Sequence, residues 1–369
     1  MKMDHDDSGR ANPPPLDLMD GASGLASQLV RDADSQLRIS ADPGRPLDHR
    51  LEAYEDIIDS EVGDTSLVRA RNIERQVGLR QIYLKFEGGN PTGTQKDRIA
   101  FAQAMDALRR GFETISVATC GNYGAAVALA ASMAGLKCKI YIPENYHTKR
   151  IREMGELAAE IVRVPGDYES AVAVSSAEAE KEESYDANPG GENTLLQLRA
   201  YGQIAYEIYD DLRDAPFAVA APVSNGTTLA GIYRGFLSLY RRGKTSRMPR
   251  IVAGSSFRKN PITQAFLQEL PSCPDLNPQK IRETSVNEPL INWHSIDGDE
   301  ALDAIRSSRG WAADASDRSM RFYAKLIREK EGLQILPASS AGLVALLDKH
   351  FKAALPPDRF VVVLTGRKS

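Results

Sequence analysis

The chain has 369 residues, of which 42% are hydrophobic and 26% charged, with a formal net charge of −4. These values describe an ordinary globular protein with room for a substantial core in one or two domains. They give no support to nucleic-acid binding, which calls for a basic face.

Cys120, Cys138 and Cys273 form no CxxC pair and the five histidines form no HExxH pair. That argues against a disulfide framework, a zinc ribbon or a protein-bound catalytic metal. No apolar run approaches the roughly 20 residues of a membrane span. The amino end, MKMDHDDSGRANPPPLD, lacks the apolar stretch of a signal peptide. A cytoplasmic protein with no membrane or nucleic-acid partner is expected.

Residues 1–48 carry NPPP and ADPGRP and read as a mostly irregular extension, packed on the body or on a partner subunit. A regular alternation follows. IYLKFE (82–87) reads as a strand and IAFAQAMDALRRG (99–111) as a helix ending on Gly111. TISVATC (114–120) is a strand, the Ala-rich 125–135 a helix closed by Gly135, and KIYIP (139–143) a strand. Helical IREMGELAAE leads to a short strand at 161–164. YESAVAVSSAEAEKEES (168–184) is a helix whose acidic end faces water. A long helix through LQLRAYGQIAYEIYDDL precedes the strands 217–223, 251–256 and 360–366. Strands apolar on both faces, alternating with helices, predict an α/β fold of mostly parallel sheets covered by helices.

In such sheets, ligands sit where strands run out into helix starts. Three of these loops are rich in Gly, Asn, Ser and Thr. The first, NPTGTQKDR (90–98), follows strand 82–87. Gly88 and Gly93 have the separation of a nucleotide phosphate loop, but Thr94 and Gln95 intervene before Lys96, so that reading fails by two residues. A lysine opening a helix meets an unfavourable dipole. Dipole and burial both favour the neutral amine, which can attack a carbonyl.

The second loop, TCGNYG (119–124), has glycines that permit a turn aiming backbone N–H groups at a carboxylate, with Asn122 at the same spot. The third, SNGTT (224–228), precedes helix 229–242 and suits a phosphate monoester. An aldehyde cofactor carrying a phosphate, condensed on Lys96, would use all three. Pyridoxal 5'-phosphate answers that description.

From about residue 60 to 369 the chain resembles the threonine synthase, cysteine synthase and serine/threonine dehydratase group, the fold type II pyridoxal-phosphate enzymes. LKFEGGNPTGTQKDR (84–98) resembles the lysine segment of threonine synthases, and GDTSLVRA (63–70) stands where the group has G-x-T-P-L. TCGNYGAAVALAA resembles the asparagine loop, PVSNGTTLAG (222–231) the phosphate loop and LPASSAGLVAL (336–346) a late P-S/A-S-A segment. VVVLTG (361–366) resembles the terminal strand and Thr-Gly of threonine synthases.

The resemblance implies two three-layer domains with the cofactor in the cleft between them. Residues 49–100 plus 205–369 would form a large cofactor-binding domain, and 101–204 a smaller domain carrying the asparagine loop. Lys96 would carry the cofactor and then serve as general base and acid. Asn122 would contact the ring oxygen, while Thr94, Thr119, Cys120, Gly121 and Tyr123 would frame the substrate. Ser224, Asn225, Gly226, Thr227 and Thr228 would hold the phosphate. Thr365 would face the pyridine nitrogen, with Ser339 as second choice. A hydroxyl there leaves that nitrogen largely unprotonated, which suits elimination and replacement better than transamination. A homodimer is implied by resemblance only.

There are departures. Gln95 replaces the usual Phe, the phosphate loop lacks the G-x-G-G and G-N-x-G-N patterns, and KDRIA is closer to cysteine synthases. NPTG and the terminal Thr-Gly nevertheless put threonine synthase-like chemistry on O-phosphohomoserine first. Cysteine or cysteate synthase-like β-replacement on phospho- or acetylserine follows, then serine/threonine dehydration. A binding module without chemistry comes last, since Lys96 is intact. Lys85, Arg98, Lys149 and Arg150 are candidates to bind a substrate anion, each weighed against a role as an ordinary surface or pairing cation.

Overall fold

The computed structural model describes residues 34–119, 121–146 and 150–368. Residues 34–40 are helical, and α1 (Leu47–Glu61) begins just before the expected boundary at 48. Within the expected mostly irregular extension, residues 34–40 and 47–48 are therefore helical, while 41–46 form turns and irregular backbone. Ser40 is buried and donates to the Met133 carbonyl at 2.7 Å, and Arg50 donates to the carbonyls of Ser40 at 3.1 Å and Ala134 at 2.7 Å. Residues 1–33 lie outside the described residues.

The body then alternates. β1 (Leu67–Arg69), α2 (Arg71–Val77) and β2 (Ile82–Phe86) lead to α3 (Lys96–Arg109). β3 (Thr114–Ala118), α4 (Asn122–Ala134), β4 (Lys137–Pro143), α5 (Ile151–Glu156), β5 (Glu160–Val164), α6 (Tyr168–Lys181) and β6 (Tyr185–Asp186) follow. The chain continues with α7 (Thr194–Leu212), β7 (Ala218–Pro222), α8 (Thr227–Arg241), β8 (Arg250–Ser256) and α9 (Pro261–Leu267). It ends with α10 (Gly298–Ser307), β9 (Trp311–Ala315), α11 (Asp317–Glu331), α12 (Ala341–Lys352) and β10 (Phe360–Leu364).

The strands form two sheets, with orders β1-β2-β10-β7-β8-β9 and β5-β4-β3-β6. Every pairing is parallel except β1 with β2. β10 shows why these strands read as continuous apolar runs. Val361 and Val363 pack into one core with α3, α4, α7 and α8, while Phe360, Val362 and Leu364 pack into a second core on the opposite face. A strand buried on both faces has no polar side to alternate with. The acidic end of α6 is exposed as expected at Glu180, Lys181, Glu182 and Glu183.

Two expected strands stop early, and this shapes the cavity. β3 ends at Ala118 rather than 120, and β10 at Leu364 rather than 366. Beyond Leu364 the backbone exchanges strand partners for others: Gln95 N–H donates to Thr365 O at 3.0 Å, and Gly366 N–H to Ser339 Oγ at 3.0 Å. Thr119 and Thr365 therefore lie in loops at strand ends, where parallel sheets collect their ligand-binding residues. Among the described residues, no helix is long and apolar enough to cross a membrane.

Candidate active site

A cavity of about 570 Å³ opens where β2, β3, β7 and β10 run out. Its lining includes Thr94, Lys96, Thr119, Gly121, Asn122, Tyr123, Ser224, Asn225, Gly226, Thr227, Thr228, Ser339 and Thr365. Every described residue of the expected set is thus in one place; Cys120 lies outside the described residues.

Lys96 is the first residue of α3, three positions earlier than periodicity predicts. The preceding loop is locked by Asp97, whose carboxylate accepts from Thr92 N at 3.0 Å and Thr92 Oγ1 at 2.8 Å. Gly93 turns the chain with φ +86, and a Cβ there would stand 2.6 Å from Arg367 Nε. That left-handed conformation and the close approach both favour glycine. Thr94 pairs with Gly366 in an antiparallel bridge, so three separate segments (93–95, 335–336 and 365–367) knit together behind the lysine.

Lys96 Nζ sits 5.4 Å from the Tyr123 ring centroid and 5.9 Å from that of Tyr201. Burial pushes this amine down to about 8, with Asp297 partly opposing the shift. A desolvated ammonium beside two rings and no bonded carboxylate is poised to lose its proton near neutral pH. Tyr123 presents its ring to this space, because its hydroxyl donates to Ala187 O at 2.7 Å and accepts from Gln103.

The loop 224–226 leads into α8, whose first N–H groups have no partner within the helix. Gly226 has φ +101, and a Cβ there would stand 2.5 Å from Asp297 O. The loop is held from outside: Asn260 Nδ2 donates to Ser224 O at 2.9 Å, and Asn292 Nδ2 donates to Asn225 Oδ1 at 2.9 Å. Close packing of α7 on α8 fixes the helix itself, since a Cβ at Gly235 would stand 2.5 Å from Gly202 O. Ser339 Oγ and Thr365 Oγ1 are 3.2 Å apart. Ser339 is buried and also bonded to Gly366, whereas Thr365 is only half-buried.

Of the anion-binding candidates, two are committed elsewhere. Lys85 is fully buried, 2.5 Å from Glu207 Oε2 and bonded to Thr65 O. Arg98 contacts Glu87 at 2.6 and 2.9 Å and Glu207 at 2.6 and 2.9 Å. Neither lines the cavity, so the pairing alternative holds for both. Arg150 bonds Glu153 at 3.1 Å and Thr92 O at 3.0 Å; Lys149 lies outside the described residues.

Residues 58–366 match the family described as "Pyridoxal-phosphate dependent enzyme". The chain belongs to that family. It is 30% identical over 312 residues to a threonine synthase of Methanocaldococcus jannaschii, covering 82% of this chain and 74% of the relative. A threonine synthase from a Bacillus species is 31% identical over 311 residues, covering 82% of each. The serine racemase of Dictyostelium discoideum superposes with a TM-score of 0.70 at 17% identity, over 86% of this chain and 97% of that one, a likeness of fold. The enzyme is thus a pyridoxal-phosphate-dependent lyase of fold type II.

The residues present fit that cofactor. The cavity offers an amine depressed toward neutrality, the open N–H groups of a 15-residue helix, and paired hydroxyls at Ser339 and Thr365. Sequence reading missed one stretch of the lining, which includes Pro278, Ile281, Glu283, Glu288 and Trp293. It comes from the connection between α9 and α10, which contains only short 3-10 turns. Its length was the signal, since connections that long without regular structure tend to be functional. Tyr146 Oη donates to Glu288 Oε1 at 2.6 Å, tying this segment to the loop after β4.

Proposed function

We propose that the enzyme catalyses elimination and replacement at the β or γ carbon of an activated amino acid, as a threonine synthase does with O-phosphohomoserine. The observation that carries this reading is the Lys96 amine, held near neutrality in the common cavity, in a chain 30% identical to threonine synthases over most of its length.

The bound cofactor would supply an electron sink for the pair left on the substrate carbon. Lys96 would carry it, then act as the base that removes a substrate proton and the acid that returns one. Thr94, Thr119, Cys120, Gly121 and Tyr123 would frame the substrate, with the start of α4 holding its carboxylate. Asn122 would reach the ring oxygen, and residues 224–228 the phosphate. Thr365, the more open of the two hydroxyls, would meet the pyridine nitrogen, and Ser339 would orient it.

We also read 49–100 plus 205–369 as the cofactor-binding domain and 101–204 as the smaller domain, a division supported by the two separate sheets. A cytoplasmic homodimer is proposed by family likeness, and analytical ultracentrifugation tests the assembly.

One observation favours a second reading. Asp167, Glu169, Glu283 and Glu288 line the cavity, and carboxylates disfavour a phosphorylated side chain. β-Replacement on an acetylated serine, or serine/threonine dehydration, avoids that conflict. Reconstitution with pyridoxal phosphate, borohydride reduction and peptide mapping should place the label on Lys96. The labelled enzyme's parent is then offered O-phosphohomoserine, O-phosphoserine, O-acetylserine and threonine. Threonine and inorganic phosphate from the first substrate support the leading reading. Turnover of acetylserine or threonine alone transfers support to the second.

A further inference from the structure

The phosphate loop is closed from behind by a carboxylate. Asp297, only 7% exposed, accepts a hydrogen bond from Thr227 Oγ1. Its backbone N–H donates to Asn225 O at 3.0 Å, so it is anchored to the loop and not passing by. The charged groups facing it are Glu300 from α10, Lys96 from the start of α3 and Arg234 from α8, with Arg234 and Glu300 themselves paired at 2.9 Å. Burial holds the Asp297 carboxyl above its usual range and Glu300 pushes the same way, while the Thr227 bond, Lys96 and Arg234 pull it down.

This arrangement conflicts with binding a phosphate. An ionised carboxylate only accepts hydrogen bonds, so it occupies the Thr227 hydroxyl proton. A phosphate dianion needs that same proton and is repelled by the nearby charge. A protonated Asp297 removes both problems, because its O–H donates to Thr227 Oγ1 and frees the Thr227 proton.

We propose that Asp297 is a proton-coupled gate on the phosphate cup: uptake of one proton reverses its bond to Thr227, so that Thr227 donates to the cofactor phosphate. The proton comes from solvent and stays on Asp297, and no covalent bond is made or broken. The proposal rests on reading residues 224–228 as the phosphate cup.

The test compares pyridoxal phosphate with pyridoxal, each titrated into the cofactor-free full chain between pH 5.5 and 9 by protein fluorescence. The ratio of their dissociation constants isolates the phosphate and cancels the titration of Lys96. The second phosphate ionisation, near about 6, is common to all variants. In the wild type the phosphate's advantage should fall as pH rises through the Asp297 titration, approaching about tenfold per pH unit. Asp297→Asn donates to Thr227 permanently, so its advantage should be larger at pH 8 and lack that fall. Thr227→Val should show a smaller advantage throughout and a shallower fall, since only the repulsion by the Asp297 charge remains, and serves if Asp297→Asn does not fold. A pH slope unchanged in either variant overturns the gate. Borohydride mapping on the wild-type samples separates the two levels. A label absent from Lys96 defeats the cofactor site itself, whereas a label present with unchanged slopes defeats only the role of Asp297.

Discussion

Two lysines close together in the chain meet opposite fates. Lys85, in β2, is fully buried, and its ammonium lies against Glu207 and the Thr65 carbonyl. Lys96, opening α3, faces two aromatic rings, with Asp297 acting on it only at longer range. Lys96 is only half-buried where it lines the cavity, yet desolvation still depresses its amine, so the degree of burial is not what decides. The distinction is whether an anion was buried alongside. A lysine with a bonded carboxylate is part of the framework; one without is pushed toward its neutral, nucleophilic form.

The largest effect should come from Lys96→Ala. Activity should fall about 10⁴-fold, the upper range for a positioned acid–base group, and the borohydride label should vanish. Cofactor retained on another lysine would break the contrast.

Arg98→Met addresses the other region. It leaves buried Glu87 without its cation and Glu207 with Lys85 alone, and a buried charge left uncompensated costs about 3–5 kcal/mol, readable as a lower denaturation midpoint. A silent substitution would mean the network is ornamental.

The two regions should also separate on the pH axis in the cofactor-free protein. Burial pushes the Glu207 carboxyl up, but Arg98 and Lys85 outweigh it and hold it at about 2. Its stabilising contribution is complete above the unfolded value, near about 4.3, and is lost as pH falls toward 2. Lys96 behaves in reverse. Its folded value of about 8 lies below the unfolded value, so the penalty of burying its charge is complete below pH 8. Stability then gains as pH rises toward about 10.4. Glu207→Gln should flatten only the acid limb and Lys96→Met only the alkaline one, measured by urea denaturation across pH.

The smallest effect is expected at Ser339→Ala. It leaves the buried Gly366 N–H without its acceptor, a loss of about 1–3 kcal/mol in stability. Thr365→Val should instead weaken cofactor binding at nearly unchanged stability. Equal stability losses in both variants would remove the distinction between the two hydroxyls.

Much of this contrast was legible in the sequence. Loops 90–98, 119–124 and 224–228 are local, each a short run between a strand and a helix, and their glycines announce turns. Alternation from 82 to 256 gave the α/β class for the same reason. What was not legible depends on partners distant in the chain. Nothing near Lys85 reveals that Glu207 will reach it, so on sequence alone it stays a candidate for a substrate anion. Asp297 lies in SIDGDE, which no sequence motif marks, and only the fold brings it to Thr227. The early ends of β3 and β10 were missed because Thr119 and Thr365 continue apolar runs whose interruption is set by hydrogen bonds from other segments.

The place of β10 has a further consequence, for biosynthesis. Residues 360–364 pair with β2 on one side and β7 on the other, so the middle of the larger sheet is supplied by its latest-synthesised strand. Until that stretch leaves the ribosome, β2 and β7 each expose an unpaired edge, and Thr365 and the backbone behind Lys96 are missing. The nascent chain therefore cannot complete the cavity before β10 docks. It must hold two open sheet edges apart, a state vulnerable to mispairing, and complete the pocket in one late closing event.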